Sequence, residues 1–173
     1  MKRTLLILLG SAALAGCATT AVPPPPPPPP PAATSFHAEN FAWSAEAGSS
    51  SISGSVVYRS AGQRFSCANQ PVILIPDAPY SRGRIASLYG SADKAVLTVA
   101  EVRSRQAGRP RDEYSAFVRS GSCDATGRFV FQGLPAGGWF LVAVARTDQQ
   151  GEPLAIMKRV AVRAGEARAV VLP

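Results

Sequence analysis

Apolar and polar positions divide this chain into three stretches. Leu5 to Leu9 is an unbroken apolar run, extended by Ala12, Ala13 and Leu14, and a segment made almost wholly of Ala, Thr and Pro follows it. Beyond residue 35 the pattern turns to short alternations with a period of two, the mark of half-buried strands. Ile52, Val56 and Tyr58 share one face of such a strand, with Ser53 and Ser55 on the other. Phe129 and Phe131 oppose Val130, while Leu154, Ile156, Val160 and Val162 alternate with Ala155, Met157, Arg159 and Ala161. Pro71–Ile75 and Trp139–Val144 are apolar on both faces, which suits central strands covered on each side. Val170 and Leu172 form a last strand.

Turn chemistry separates these runs. Asp124-Ala125-Thr126-Gly127 has Asp at the first turn position and Gly at the fourth. Leu134–Gly138, Asp148–Gly151 and Arg163–Glu166 are the other breaks. The pattern predicts an all-β domain over residues 36–173, a single antiparallel β-sandwich of about seven strands. Residues 77–112 do not fit it and are read as an arm inserted between strands. Within the arm, Ser91 caps a helix from Ala92 to Arg103 in one reading; in the other, Leu97, Val99 and Glu101 alternate as a strand.

The N-terminal apolar block is about 12 residues long, and a membrane-spanning helix needs about 20. With Lys2 and Arg3 before it, the block reads as a secretory signal over residues 1–16. Leu14-Ala15-Gly16-Cys17 resembles the lipobox of bacterial lipoproteins. That resemblance implies diacylglycerol on the Cys17 sulfur, cleavage before Cys17 and acylation, typically with palmitate, of the new amine. Ala18, where an Asp would retain the protein at the inner membrane, implies the outer membrane, with the domain on its periplasmic side. Residues 17–35 then form a lipid-anchored linker. Pro23–Pro31 lacks every backbone N–H, so it predicts a polyproline II spacer of roughly 28 Å.

Charge changes the picture little. The formal net charge is +7, and removal of Lys2 and Arg3 leaves 7 − 2 = +5. The basic residues are scattered rather than packed with aromatics, so nucleic acid is not expected as a partner. Their one concentration is the arm, where Arg103, Arg105, Arg109 and Arg111, with Tyr80, Tyr89 and Tyr114 nearby, form a candidate contact surface for an anionic envelope protein or polymer.

Cys67 and Cys123 remain once Cys17 is lipidated. An even pair in an oxidising compartment predicts a disulfide, closing a loop of about 57 residues around the arm. His37 is the only histidine and lies beside the linker, so neither a catalytic triad nor a histidine zinc site is expected. The carboxylates are dispersed. No enzyme activity, cofactor or metal is predicted.

Asp124-Ala-Thr-Gly-Arg-Phe-Val-Phe-Gln-Gly-Leu-Pro-Ala-Gly-Gly-Trp resembles the signature of carboxypeptidase regulatory-like domains, which are prealbumin-like sandwiches, and Ile52–Val56 resembles their opening strand. The resemblance implies a fold over roughly residues 50–172 and marks strand packing rather than a site. Related domains sometimes carry a Lys–Asn isopeptide, but Lys94 and Lys158 lie outside the first strand, so none is expected. Two functions follow as expectations: a non-catalytic interaction module acting through the arm, or a small-molecule or glycan binder with a pocket between sandwich and arm.

Overall fold

The alternating runs become strands in the computed structural model, which describes residues 35–105, 112–147 and 151–173. The signal segment, Cys17, the polyproline run, Arg109 and Arg111 lie outside the described residues.

The first sheet is small. Strand β1 (Ser50–Val56) lies between β7 (Arg128–Leu134) and β10 (Ala167–Leu172). Ile52 faces Phe131 across the antiparallel β1–β7 pair. The β1–β10 pair is parallel, the one departure among the described strand pairs from the antiparallel sandwich expected. The chain leaves this sheet at Val57 and enters the second through the hairpin β2 (Tyr58–Ser60) and β3 (Gln63–Ser66). Ile52, Val56 and Tyr58 therefore span two sheets while all packing toward one core.

The second sheet is built around β8 (Gly137–Thr147), which pairs with β4 (Pro71–Pro76), β9 (Leu154–Val162) and the end of β3. Strand β6 (Arg119–Ser122) flanks β4, and β5 (Lys94–Thr98) flanks β9. Between the sheets lie Ile52, Leu74, Leu134, Trp139, Leu141, Ile156 and Leu172, each fully buried. Arg119 sits over the Trp139 ring, 5.6 Å from its centroid. The Cys67–Cys123 disulfide is formed and belongs to this inner core. Gly127 takes positive φ at the predicted turn, where Asp124 Oδ1 accepts the N–H groups of Thr126 and Arg128.

The insertion lies between β4 and β6. Among its described residues, β5 extends the second sheet beside β9, and the helices pack on that sheet's outer face. Helix α1 (Pro79–Tyr89) opens with Pro at its first turn, the position where a missing N–H costs nothing. The Ser81 hydroxyl accepts the Ala78 N–H at 2.8 Å, and Gly90 ends the helix in the left-handed region. The predicted helix from Ala92 to Arg103 is instead divided. Ala95 and Leu97 pair with Met157 and Ala155 as part of β5, and helix α2 (Val99–Ser104) follows. Its cap is Thr98, bonded reciprocally to Glu101, rather than Ser91. A further turn, α3 (Asp112–Ser115), leads into β6. No helix among the described residues is long and apolar enough to cross a membrane.

Candidate functional site

The outer face of the second sheet is apolar because alternate residues of its central strands point there. Ile73 and Ile75 of β4, Phe140 and Val142 of β8, and Ala155 and Met157 of β9 need a cover. Their cover comes from short elements. Two 3₁₀ turns, Ala38–Asn40 and Ala42–Ala45, seat Phe41, which is fully buried. Phe36, Tyr114 and Phe117 surround it and Tyr80 packs on Phe36 and Tyr114, with ring centroids 5.2 to 6.4 Å apart, tilted or edge-on.

This cover leaves a half-open cavity of about 390 Å³. Ile73, Ile75 and Val142 form its floor. Helix α1 contributes Arg84, Ile85, Leu88 and Tyr89, and α2 contributes Val102. Tyr114, Ser115, Val118 and Ser120 complete the wall. Its volume falls within the range of small-molecule sites, roughly 300–1,000 Å³. Its polar groups are one guanidinium, two phenols and two serine hydroxyls; no carboxylate or carboxamide lines it among the described residues.

Burial pushes the Tyr89 phenol up to about 12, because the charged form would lose its water. Burial raises Tyr114 as well; nearby Arg84 pulls the other way and Tyr80 adds to the rise. Both phenols are therefore neutral at ordinary pH within an apolar wall.

The described residues singled out in the sequence divide between the cavity wall and its surroundings. Tyr89 and Tyr114 line the cavity, whereas Tyr80 packs edge-on against Phe36 and Tyr114 without lining it. Arg103 and Arg105 are exposed, and Arg105 donates to the Leu88 carbonyl. The sequence pattern did not single out Arg84, Ile85, Val102 and Val118. One signal was present: Tyr80, Arg84 and Leu88 recur every four residues and so share a helical stripe.

Titratable groups elsewhere serve the fold. Asp77, whose side chain is 2% exposed, is held by Arg82 of α1 and Arg159 of β9, which ties the start of the helix to the sheet. His37 pairs with Glu39 at 3.3 Å on the surface. Among the described residues no three His, Cys, Asp or Glu side chains gather as a metal site would require.

No family model matches the chain, and no curated protein matches it significantly. The carboxypeptidase regulatory-like resemblance thus stands on its motif alone. Solved structures do match. A Pseudomonas aeruginosa protein, provisionally described as carbohydrate-binding, superposes with a TM-score of 0.62 at 22% identity, covering 80% of this chain and 97% of that one. The two share a fold. A minor pilin of Streptococcus agalactiae matches with a TM-score of 0.34 at 13% identity, over 72% of this chain and 50% of that one; that likeness is too distant to argue from.

Proposed function

We propose that this chain is a lipid-anchored, non-catalytic binding module of the bacterial outer membrane, and that it holds a small, largely apolar ligand on the outer face of its second sheet. The cavity beneath α1 carries the reading. A packed layer has no need of a half-open space of about 390 Å³ walled by six aliphatic side chains of the sheet and helices and by Val118. The anchor rests on the lipobox ending at Cys17 and on the proline run that follows it. The signature shared with carboxypeptidase regulatory-like domains supports a structural division of labour. Its Phe129, Phe131, Leu134 and Trp139 all enter the inner core, so the motif builds the scaffold and leaves the outer layer for recognition.

The Pseudomonas aeruginosa neighbour raises carbohydrate as a ligand. A sugar presents many hydroxyls, each of which loses water on burial and needs a partner. A wall dominated by Ile, Leu and Val, without carboxylate or carboxamide among the described residues, meets few of those needs. An apolar ligand fits better.

The full-length Cys17→Ser chain, which cannot be acylated, allows binding to be measured without detergent. Nile red, a neutral apolar fluorophore, is expected to bind it saturably at one site. Val142→Phe, which fills the floor, should abolish that signal while the far-UV circular dichroism stays unchanged. Equal binding by a folded Val142→Phe chain would reject the cavity as the site. A lipid analogue should label the wild-type chain and not Cys17→Ser; equal labelling of both would reject the anchor.

A further inference from the structure

We infer that the ligand is an aliphatic monoanion, an alkyl carboxylate in its simplest form, with its tail against the sheet and its acid group on Arg84. This rests on the cavity reading above and adds the chemistry of the ligand to it.

The tail is argued from the walls. Ile73, Ile75 and Val142 below and Ile85, Leu88 and Val102 at the sides are all branched aliphatics. Such a surface gains from hydrocarbon and offers it no polar competition. The head is argued from a charge without a counterpart. Arg82, Arg159 and Arg168 each pair with a carboxylate. Arg84, two residues from Arg82 on the same helix, is half-buried and has no ion-pair partner among the described residues.

It lines the cavity, and its charge reaches the Tyr114 phenol, so it belongs to the wall rather than to open solvent. A guanidinium at an apolar boundary interacts more strongly than one in bulk water, and its fork matches the two oxygens of a carboxylate. Tyr89 and Tyr114 are neutral phenols in the same wall, and among the described side chains no carboxylate lines it to repel an anion. A cation, two phenols and a hydrocarbon lining in one cavity together describe an amphiphile with one negative end.

The test is displacement of Nile red from the Cys17→Ser chain by decanoate and by decanol, which share a tail and differ in charge. Decanoate is expected to displace the dye on the order of tenfold more strongly than decanol, the size of one charge-assisted hydrogen-bonded contact. Arg84→Gln should remove that advantage and leave decanol unchanged; Arg84→Lys should keep part of it. Arg64→Gln, an exposed guanidinium on β3 outside the cavity, should leave the advantage intact.

If decanol competes as well as decanoate, or a folded Arg84→Gln chain keeps the preference, the anionic ligand is wrong and the cavity reading survives. Loss of the preference equally in Arg64→Gln would reduce it to general surface charge and overturn the role of Arg84. If Nile red does not bind at all, the cavity reading falls and takes this inference with it.

Discussion

The two faces of the second sheet are both apolar, yet they are closed in different ways. The inner face meets another sheet. Trp139, Leu141 and Ile156 pack against Ile52 and Leu172 across long strand ladders, and the Cys67–Cys123 bridge adds a covalent tie. The outer face meets an 11-residue helix, shorter helical turns and a knot of aromatic rings, and many of its side chains, Leu88, Val102, Phe117 and Val118 among them, are only half-buried. Helices this short have little stability of their own and depend on what they pack against. Regions that open most easily are those from which binding sites are drawn. The difference assigns stability to the inner layer and is the ground on which we propose recognition for the outer one.

The disulfide gives that division its largest test. Its partners are 56 residues apart, so the loop-entropy estimate of its contribution is roughly 4 kcal/mol, within the usual range of 2–5. The chain carrying Cys67→Ala and Cys123→Ala is expected to lose about that much unfolding free energy, read from the fall in its urea midpoint multiplied by the m-value. A loss below about 1 kcal/mol would mean that the inner layer does not depend on its bridge.

A smaller effect compares neighbours in one strand. Leu141 is fully buried on the inner face; Val142, 8% exposed, borders the cavity on the outer face. Leu141→Ala should cost about 3 kcal/mol, because it opens a void between two rigid sheets. Val142→Ala should cost about 1 kcal/mol, since it removes fewer atoms and only widens a space already present. Equal losses in urea denaturation would erase the distinction between the layers.

The same contrast decides what the sequence made legible. Inner-layer residues follow the two-residue period of their strands, so the alternation alone places Phe129, Phe131, Ile156 and Val160 in the core. Strand β6, Arg-Ser-Gly-Ser, has no apolar alternation because it is an exposed edge, and the pattern gives no sign of it. Helix α1 is hidden in the sequence because its burial rests on few apolar side chains, Ile85 and Tyr89, spaced among Ser, Arg and Gly.

The capping box Thr98-x-x-Glu101 is written in the sequence, but the apolar run before it draws the expected helix start back to Ala92, where β9 imposes a strand instead. Gly137 sits where the chain reverses after Pro135, and its role is wider than that. A Cβ there would lie 2.4 Å from the Trp43 ring, so the glycine makes room for an aromatic nearly a hundred residues away in sequence. The cavity was illegible for a related reason: its walls come from α1, α2, α3, β4, β6 and β8, and no local pattern records their convergence.

The smallest effect is silent at neutral pH. Tyr89 belongs to the outer layer, and burial raises its phenol from 10.0 to about 12. In the unfolded chain the same phenol ionises near its ordinary value, about 10. The native state therefore holds this proton more tightly than the unfolded state does. Its contribution to stability is complete below pH 10, declines as pH rises, and is gone above about 12.

Absorbance at the tyrosinate band, followed from neutral to alkaline pH in wild type and Tyr89→Phe, isolates this one phenol by difference. The difference signal is expected to rise near pH 12 or to jump earlier together with loss of the far-UV signal, because unfolding exposes the group. A difference signal centred near pH 10 in a chain that is still folded would show Tyr89 in contact with water. The outer layer would then be looser than its packing implies, and the apolar character of the cavity wall at that position would have to be given up.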